Sequence, residues 1–303
     1  MVDSLTNYHI PVMASQCMEG LAIKEGGIYV DATFGGGGHA RLILNHPKVK
    51  RLFGIDQDDD AIQNQWEDER LIMINHNYRY MKHFLKYHKA IPVDGILADL
   101  GISSFQINEG TKGFSYRFDE RIDMRMDMDA EIDAVYVLNQ YSANDLTAIF
   151  KEYGELKNAF AISESIVFYR TGKPIETVGN LLEAIQPNTP KMGDYAFLSK
   201  VFQALRIEVN QEIENLELFL NQCNEVLKPG GRLVVMSYHS LEDRVVKNFI
   251  NTGNSEGTVQ KDGFGNLQRP FEPLNKKPIT PSEDELVQNP RSRSAKLRIA
   301  VKL

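Results

Sequence analysis

Residues 28–44 carry the clearest indication of the fold class. They consist of Ile28-Tyr-Val-Asp31, then Ala-Thr-Phe, four glycines (Gly35 to Gly38) and His39-Ala-Arg-Leu-Ile-Leu44. The β-branched and apolar run that ends in an acid predicts a strand, and the residues after the glycines predict a helix. A strand, a glycine turn and a helix together form the opening of a nucleotide-binding βαβ unit.

The four glycines indicate that a ligand approaches the backbone closely, next to the N–H groups of a helix N-terminus. They do not match the dinucleotide pattern G-x-G-x-x-G, because residue 40 is alanine. A Walker A loop is excluded as well, since no Gly-Lys-Ser/Thr follows. We expect a side chain at Gly37 to block the ligand while leaving the fold largely intact.

Strands and helices alternate beyond this unit, which predicts a mostly parallel, doubly wound α/β sheet. One further helix is expected to open at a capping box in Ser240-Leu-Glu-Asp243. Residues 251–275 predict a loop. The further predicted strands are 51–56, 71–75, 93–99, 232–238 and 294–303, and the predicted helices are 59–70 and 210–227.

The alternating pattern is interrupted between residues 107 and 205. This stretch contains no convincing buried strand, and its helical periodicity is clearest over 143–150, 157–169 and 178–185. We therefore expect one α/β domain, formed by 1–106 and 206–303. A helical insertion domain, 107–205, interrupts it and would recognise the substrate.

The composition is that of a globular protein, with 42% hydrophobic and 25% charged residues. Two cysteines, Cys17 and Cys223, are too few for a disulfide framework and favour a reducing, cytoplasmic compartment. We expect no secretory signal, because no basic region followed by an apolar region opens the chain. No apolar run reaches the roughly 18 residues that span a bilayer, so we expect no membrane partner.

The charge is negative overall but unevenly distributed. The net charge of −7 argues against a protein that simply coats nucleic acid, and we expect no DNA partner. Residues 289–303 carry +5 and no acid, so the chain before them sums to −12. A run of charges is usually a solvated face, and the basic tail alone does not establish contact with nucleic acid.

Three acids end predicted strands: Asp31, Asp56 and Asp99. Asp56 comes 21 residues after Gly35, where an acid can accept hydrogen bonds from both ribose hydroxyls of an adenosine ligand. The alternatives for Asp56 are a solvated loop acid or a metal ligand, and the latter lacks a converging His or Glu, so no metal is expected. With the glycine turn, the three acids indicate an adenosine-containing cofactor. S-adenosyl-L-methionine fits better than NAD, because no second phosphate-binding half is visible.

Six motifs resemble one known family over nearly the whole chain, from His9 to Ile299. In this order they resemble the MraW (RsmH) family, bacterial methyltransferases that act on N4 of a cytosine in 16S ribosomal RNA of the small subunit. The resemblance implies a Rossmann-like class I methyltransferase domain with a helical insertion. The motifs are Asp31–His39, Asp94–Ser104, Gly113–Ser115, Ile122–Asp127, Ser237–Arg244 and Asn289–Ser294.

The resemblance also implies which residues contact S-adenosyl-L-methionine. Tyr78 stands where phenylalanine is usual, and its ring can still pack on adenine. Gly36 stands where a larger residue is common, which a solvent-facing position should tolerate. For His39, a capping or packing role is the alternative to ligand contact. The implied contacts are Gly37, Gly38, His39, Asp56, Tyr78, Asp99 and Gln106.

The expected reaction is direct displacement of the methyl group by the cytosine N4 nitrogen. That nitrogen is a poor nucleophile, so the enzyme should supply proton acceptors and positioning rather than a strong base. Asp99 is the catalytic candidate, with a role as cofactor contact alone as the alternative, and Ser103 and Ser104 are expected near the substrate. The Asp/Asn-Pro-Pro-Tyr/Phe motif of DNA amino-methyltransferases is missing at this point.

Other substrate candidates combine rings with cations or lie at a strand end. Phe114 and Arg117 could stack on and hold an unpaired base, or pack within the helical domain. Tyr238 and His239 end the fifth predicted strand, with a structural role as the alternative. Arg291 and Arg293 follow a proline in a run expected to be extended, where they could bind phosphate or pair with the acids at 283–285.

The expected partner is therefore 16S ribosomal RNA within the small ribosomal subunit. Two other classes of function remain open at this stage. A methyltransferase for another RNA, a protein or a small molecule would share the cofactor half of the chain. A non-catalytic RNA-binding or cofactor-sensing protein would bind the cofactor without turnover.

Overall fold

A computed structural model describes residues 11–102 and 112–303. The chain divides into two compact units, Met1–Gly101 with Ile213–Leu303, and Ile102–Glu212. The second boundary lies several residues after the one expected at 205/206. The reason is a helix that continues without a break through the expected position, over Asp194–Asn210.

The first unit contains a seven-stranded sheet in the order β3-β2-β1-β4-β5-β7-β6. Neighbouring strands are parallel from β3 to β5, and β7 is antiparallel to both β5 and β6. This mostly parallel sheet confirms the predicted fold class. The strands are β1 Gly27–Asp31, β2 Val49–Asp56, β3 Leu71–Asn75, β4 Val93–Asp99, β5 Leu227–Ser237, β6 Phe271–Pro273 and β7 Lys296–Lys302.

Helices cover both faces of this sheet, and others form the second unit. In chain order they are α1 Ala14–Leu21, α2 Gly38–Leu44, α3 Asp59–Ile62, α4 Met81–Tyr87, α5 Ala134–Gln140, α6 Ala143–Glu152, α7 Ala159–Arg170, α8 Val178–Ile185, α9 Asp194–Asn210, α10 Glu212–Val226, α11 Ser240–Thr252 and α12 Glu283–Gln288. Short 3-10 helices cover Tyr78–Tyr80, Gln186–Asn188 and Pro290–Ser294.

Alternate residues of the central strands face opposite sides of the sheet and pack into two separate hydrophobic cores. Val30 and Phe53 belong to the core that also contains residues of α4, α10 and α11. Tyr29 and Leu52, their neighbours in sequence, belong to the core with α1 and α2. Both faces are therefore apolar, which explains why these strands appear in the sequence as continuous apolar runs.

The second unit has its own hydrophobic core, formed by α5 to α9. Among its described residues there is no strand, and only an isolated bridge joins Arg121 and Thr177. A capping box between Ser142 and Asp145 begins α6. The Asn210 side chain bonds the backbone of both Met124 and Met126, which ties the loop before α5 to the end of α9.

Four local predictions are wrong. The helix expected over 59–70 ends at Ile62, because the chain turns away to place Trp66 on the Phe34 ring, at 5.8 Å between centroids. The expected loop 251–275 contains β6, which completes the edge of the sheet beside β7. Residues 290–294 form a 3-10 helix rather than an extended run, since Ser292 is buried and its hydroxyl bonds Asn289.

The fourth wrong prediction concerns the start of α11. The cap residue is His239 rather than Ser240, and its ring accepts a hydrogen bond from the Glu242 N–H. Glu242 accepts in return from the His239 N–H, so the capping box is present one residue earlier than expected. Among the described residues, no helix is long and apolar enough to cross a membrane.

An ion pair between Asp243 on α11 and Arg298 on β7 gives the first prediction. Arg298 is buried and its guanidinium donates to both Asp243 oxygens, at 2.6 and 3.2 Å. Burial raises the pKa of Asp243, but Arg298 and Lys296 outweigh it and hold the pKa below its usual value. We expect Asp243→Asn to cost about 3 kcal/mol at pH 7, because Arg298 loses its counter-charge.

Denaturant unfolding measures this loss across pH. A carboxyl group with a lowered pKa stabilises the fold at neutral pH, and this stabilisation disappears as pH falls through the folded-state pKa. The difference between wild type and variant should therefore shrink in acid. Lys296→Gln is the control, because its ammonium lies 3.5 Å from Asp243 and is 38% exposed, so about 1 kcal/mol or less is expected. Equal losses from both variants would contradict the prediction.

Candidate active site

The structure brings Asp31, Asp56 and Asp99 to one edge of the sheet, at the carboxyl ends of β1, β2 and β4. The strand order reverses between β1 and β4, because β2 and β3 lie on one side and β5 on the other. Open α/β sheets bind their ligands in the crevice at such a switch point. The three acids predicted from the sequence therefore face a single candidate site.

Asp56 holds the glycine turn in place. Its two carboxylate oxygens accept hydrogen bonds from the backbone N–H of Gly35, at 2.8 Å, and of Asp58, at 2.9 Å. Burial raises the pKa of Asp56 to about 6, although these backbone bonds lower it. Each carboxylate oxygen can accept a second hydrogen bond, so Asp56 can still bind ribose hydroxyls.

Gly37 lies against protein side chains rather than open space. Its φ of +73° is in the left-handed region, and a Cβ there would come within 2.8 Å of Trp66 and 3.0 Å of Phe34. The Arg41 guanidinium covers the Trp66 ring at 3.9 Å. The expectation that a side chain at Gly37 would spare the fold is therefore wrong. At Gly36, in contrast, a Cβ would have no neighbour among the described residues within 4 Å.

Asp31 and His39 are both buried, and each influences the pKa of the other. Asp31 Oδ1 accepts a 3.3 Å bond from the Thr33 N–H, whereas Oδ2 has no partner in the described part of the chain. Burial is the main cause that raises the pKa of Asp31, to about 7. Burial lowers the pKa of His39, but Asp99, Asp31 and Glu285 outweigh burial and raise it overall.

His39 also lacks a hydrogen bond of normal length. Neither ring nitrogen is hydrogen-bonded within residues 11–102 and 112–303, and Nε2 lies 3.6 Å from Asp99 Oδ2. Buried polar atoms without partners are rare in folded proteins and commonly mark a ligand or water site. His39 is the second residue of α2, so the helix N-terminus adds its N–H groups to the same place.

Asp99 is held in one orientation by two groups from other elements. Its backbone N–H donates to Thr33 Oγ1 at 2.6 Å, and the Tyr238 hydroxyl donates to its Oδ1 at 2.8 Å. Burial and Asp99 together raise the pKa of Tyr238, so the phenol stays protonated. Tyr238, which the sequence predicts as a substrate contact, donates its hydroxyl to Asp99 in the described structure. Thr33 was not predicted as a site residue, although it stands two residues after Asp31.

Two of the remaining candidates are structural in the described geometry. His239 caps α11, and its Nε2 lies 3.1 Å from Glu242 Oε1, with both side chains buried. Phe114 is 7% exposed and packs in the core of the helical unit, as the packing alternative expected. Arg117, in the same unit, is exposed. Neither His239 nor Phe114 presents a free ring for a base.

Tyr78 follows β3, which is the strand next to Asp56. Its ring packs edge-on against Phe219 of α10, at 5.0 Å between centroids, and it remains partly exposed. Arg291 and Arg293 are exposed on either side of the buried Ser292. The remaining predicted contacts, Ser103, Ser104 and Gln106, lie outside the described residues.

The residues at this edge fit an adenosine-containing cofactor with a positive centre. Asp56 offers free lone pairs at the ribose position, and the glycine turn leaves the backbone accessible. Asp31 Oδ2 and both His39 nitrogens are buried without partners in the described residues, so a bound group could satisfy them. Carboxylates at this density favour a cation, as the sulfonium and ammonium groups of S-adenosyl-L-methionine would provide.

Comparison with known proteins decides the family. The model of the MraW methylase family matches residues 6–303. The chain belongs to the MraW methylase family. The ribosomal RNA small subunit methyltransferase H of Bacteroides fragilis (strain YCH46) is 52% identical over 303 residues, which is 100% of both chains. The protein of the same name from Amoebophilus asiaticus is 50% identical, over 97% of this chain and 96% of that one.

A more distant likeness exists to a solved structure, an rRNA methylase from Streptococcus thermophilus. It aligns with a TM-score of 0.40 and 14% identity, over 96% of this chain and 93% of that chain, and this is too weak to support an inference. Membership of the MraW family makes the chain a methyltransferase that uses S-adenosyl-L-methionine as methyl donor. The non-catalytic alternative is thereby set aside.

Alanine substitutions at the neighbouring Gly36 and Gly37 should have different effects on stability. We expect Gly37→Ala to lower the stability of the ligand-free protein by about 1–3 kcal/mol, because an alanine is strained at φ +73° and collides with Trp66. Gly36→Ala should change it by less than about 0.5 kcal/mol, as at an ordinary surface site. Thermal and denaturant unfolding without ligand measure both changes. Equal stability of the two variants would show that Trp66 does not pack on this turn.

Proposed function

We propose that this protein transfers a methyl group from S-adenosyl-L-methionine to the exocyclic N4 of a cytosine in 16S ribosomal RNA of the small subunit. The observation that carries the proposal is the 52% identity, over the full length, to a protein curated as ribosomal RNA small subunit methyltransferase H. Such an enzyme would work in the bacterial cytoplasm. The helical unit, Ile102–Glu212, would serve as the substrate-recognition domain.

Different residues at the carboxyl edge of the sheet would bind different parts of the donor. Asp56 would accept hydrogen bonds from the ribose hydroxyls, and Tyr78 would pack on the adenine. Asp31 and His39, both buried and incompletely bonded in the described residues, would contact the charged methionine portion. When bound, the sulfonium supplies a methyl group that is activated for direct displacement.

Asp99 would act on the nucleophile. The lone pair of cytosine N4 is delocalised into the ring, so its attack gains from a carboxylate that accepts its N–H protons in the transition state. Thr33 and Tyr238 hold Asp99 in a fixed orientation before the reaction begins. The sulfur of a bound donor would keep the electron pair of the carbon–sulfur bond as the methyl carbon passed to N4. Asp99 accepts the proton that N4 then loses.

The basic residues before β7 would hold the RNA backbone. β7 begins with Lys296 opposite Ser237, at the same carboxyl edge where β5 ends beside Tyr238. Arg291 and Arg293 precede this point and are exposed, whereas Arg298 is buried against Asp243. The two exposed arginines are thus the part of the +5 tail that supports a phosphate contact.

A turnover experiment with Asp99→Asn tests the proposed activity. We expect transfer of labelled methyl to isolated small subunits to slow by at least about 100-fold, because the amide cannot accept the N4 proton. Asp59→Asn, at an exposed acid, is the control and should keep wild-type turnover. Mass spectrometry of 16S RNA fragments from cells with and without the protein should locate the methyl group on a cytosine N4.

Three outcomes would contradict this account. Label that appears only in protein, in another RNA or in a small molecule would assign a different substrate class. Wild-type turnover by Asp99→Asn would remove Asp99 from the chemistry. If calorimetry shows that the donor affinity of Asp99→Asn falls as much as its turnover, Asp99 is only a cofactor contact.

The tail gives a separate prediction on RNA binding. We expect Arg291→Glu with Arg293→Glu to weaken binding to 16S RNA and to flatten its salt dependence, by roughly 0.7–0.9 in slope for each lost phosphate contact. Donor affinity should not change. Lys247→Glu, on the exposed side of α11, is the control. A double variant that loses thermal stability but keeps the wild-type salt slope would show that the arginines only dock the tail.

A further inference from the structure

Residues 75–93 form a basic internal stretch, of which the proposed function uses only Tyr78. They contain four cations and no acid, so in a chain of −7 this segment carries +4 and everything else sums to −11. Three of the seven histidines of the chain lie here as well. The four cations are Arg79, Lys82, Lys86 and Lys89, and the histidines are His76, His83 and His88.

This segment forms the 3-10 helix after β3 and then α4. The inner face of α4 is apolar, with Met81 and Leu85 fully buried in the core against the sheet. The outer face is polar and aromatic, and Tyr80 and Tyr87 are 42% and 78% exposed. We call the exposed set the α4 surface. Its members are Tyr80, His83, Lys86, Tyr87 and Lys89.

The rings of this segment are packed in two groups, one around His76 and one formed by Tyr87 and His88. His76 lies edge-on to Tyr80, with 4.7 Å between ring centroids, and 5.3 Å from Phe84. Tyr87 is similarly edge-on to His88, at 5.1 Å. Rings fixed by such contacts lose little conformational entropy when a planar group stacks on them. A base that stacked on Tyr80 or Tyr87 would therefore meet a prearranged face.

Two of the four cations interact with other residues of the protein, and the other two form no ion pair in the described part of the chain. Lys82 forms an ion pair with Glu225, and the Arg79 guanidinium lies 5.0 Å over the Tyr80 ring and donates to Asn215. Lys86 and Lys89 are exposed and form no ion pair with any residue that the structure describes. Their charges are therefore available to an external anion.

The position of the α4 surface relates it to the candidate active site. Asn75, the last residue of β3, pairs in register with Asp56 at the carboxyl edge of the sheet. The segment leaves this edge at His76 and follows the helix axis for about 10 Å over the seven residues of α4. A strand of RNA with one end at the active-site edge could continue along this face.

We propose that the α4 surface is an accessory binding surface for unpaired ribosomal RNA, with phosphates on Lys86 and Lys89 and bases on Tyr80 and Tyr87. The proposal rests on the proposed function for the identity of the nucleic acid. Exposed rings beside cations without acids are the combination that binds single-stranded nucleic acid. The exposed face carries no aliphatic side chain, which argues for RNA over a protein or membrane partner.

Two double variants separate the roles of charge and stacking. Lys86→Glu with Lys89→Glu should weaken binding to protein-free 16S RNA by about tenfold or more and reduce the salt slope by roughly 1.4–1.8, which corresponds to two contacts. Tyr80→Ala with Tyr87→Ala should weaken binding at every salt concentration and leave the slope unchanged. The control is Lys247→Glu with Lys261→Glu, at two exposed lysines of the same unit, and should keep both quantities.

Calorimetry with S-adenosyl-L-methionine and thermal unfolding complete the experiment. Both double variants should retain wild-type donor affinity. The lysine variant should also keep the wild-type unfolding temperature, whereas the tyrosine variant loses the Tyr80 contacts with His76 and Arg79 and should unfold at a somewhat lower temperature, so its RNA binding is measured well below that temperature. Unchanged RNA affinity and slope would overturn the proposal. So would a loss of affinity for assembled subunits only, because the partner would then be a ribosomal protein.

The same wild-type preparation is assayed for methyl transfer to small subunits. If the wild-type protein methylates RNA while the variants bind RNA normally, the proposed role of the α4 surface is refuted and the proposed function stands. If it transfers no methyl group to RNA, the proposed function fails, and this proposal fails with it. The two failures are thus distinguishable.

Discussion

The placement of three carboxyl groups at one edge of the sheet, buried at Asp31 and half-buried at Asp56 and Asp99, is the constraint on which the rest of the site depends. A buried carboxylate is costly unless hydrogen bonds replace its water. Asp56 obtains them from the glycine turn, which must curve so that the Gly35 N–H points at it. The Asp99 carboxylate accepts one from the hydroxyl of Tyr238, the residue that follows β5. The turn, the strand ends and the start of α11 are thus positioned by acids as much as by apolar packing.

Asp31 and His39 contribute the remaining free-energy cost of burying polar groups, because both have polar atoms without a hydrogen bond in the described residues. Asp31 has a pKa of about 7 because it is buried and one of its oxygens has no partner among the described residues. Between pH 4 and 7 the folded protein therefore holds a proton that the unfolded chain releases, and rising pH reduces stability over this range. A cation bound beside Asp31 would favour its charged form. If the donor binds beside Asp31, as proposed, its binding would release this proton.

Much of this architecture could be predicted from short-range sequence patterns. Contacts between segments that are distant in the sequence could not be predicted. β3 and β4 match their predicted bounds, because buried parallel strands are continuous apolar runs. The early end of α3 follows from Trp66 packing on Phe34, more than thirty residues earlier in the chain. In the site, the strand-end acids were predictable by position. The Tyr238–Asp99 bond was not, since 139 residues separate its partners.

An acidic active site poses a problem for an enzyme of RNA, since the carboxylates that suit a cationic methyl donor repel phosphates. Placement on different elements reduces the conflict. The carboxylates end β1, β2 and β4, while exposed cations that form no ion pair in the described part of the chain lie on other elements, at Arg293, Lys86 and Lys89. Charges farther apart than about 8 Å at physiological salt are largely screened from each other when exposed to solvent. The protein can therefore remain acidic overall and still bind an anionic substrate, provided that its basic residues stay clustered and unpaired.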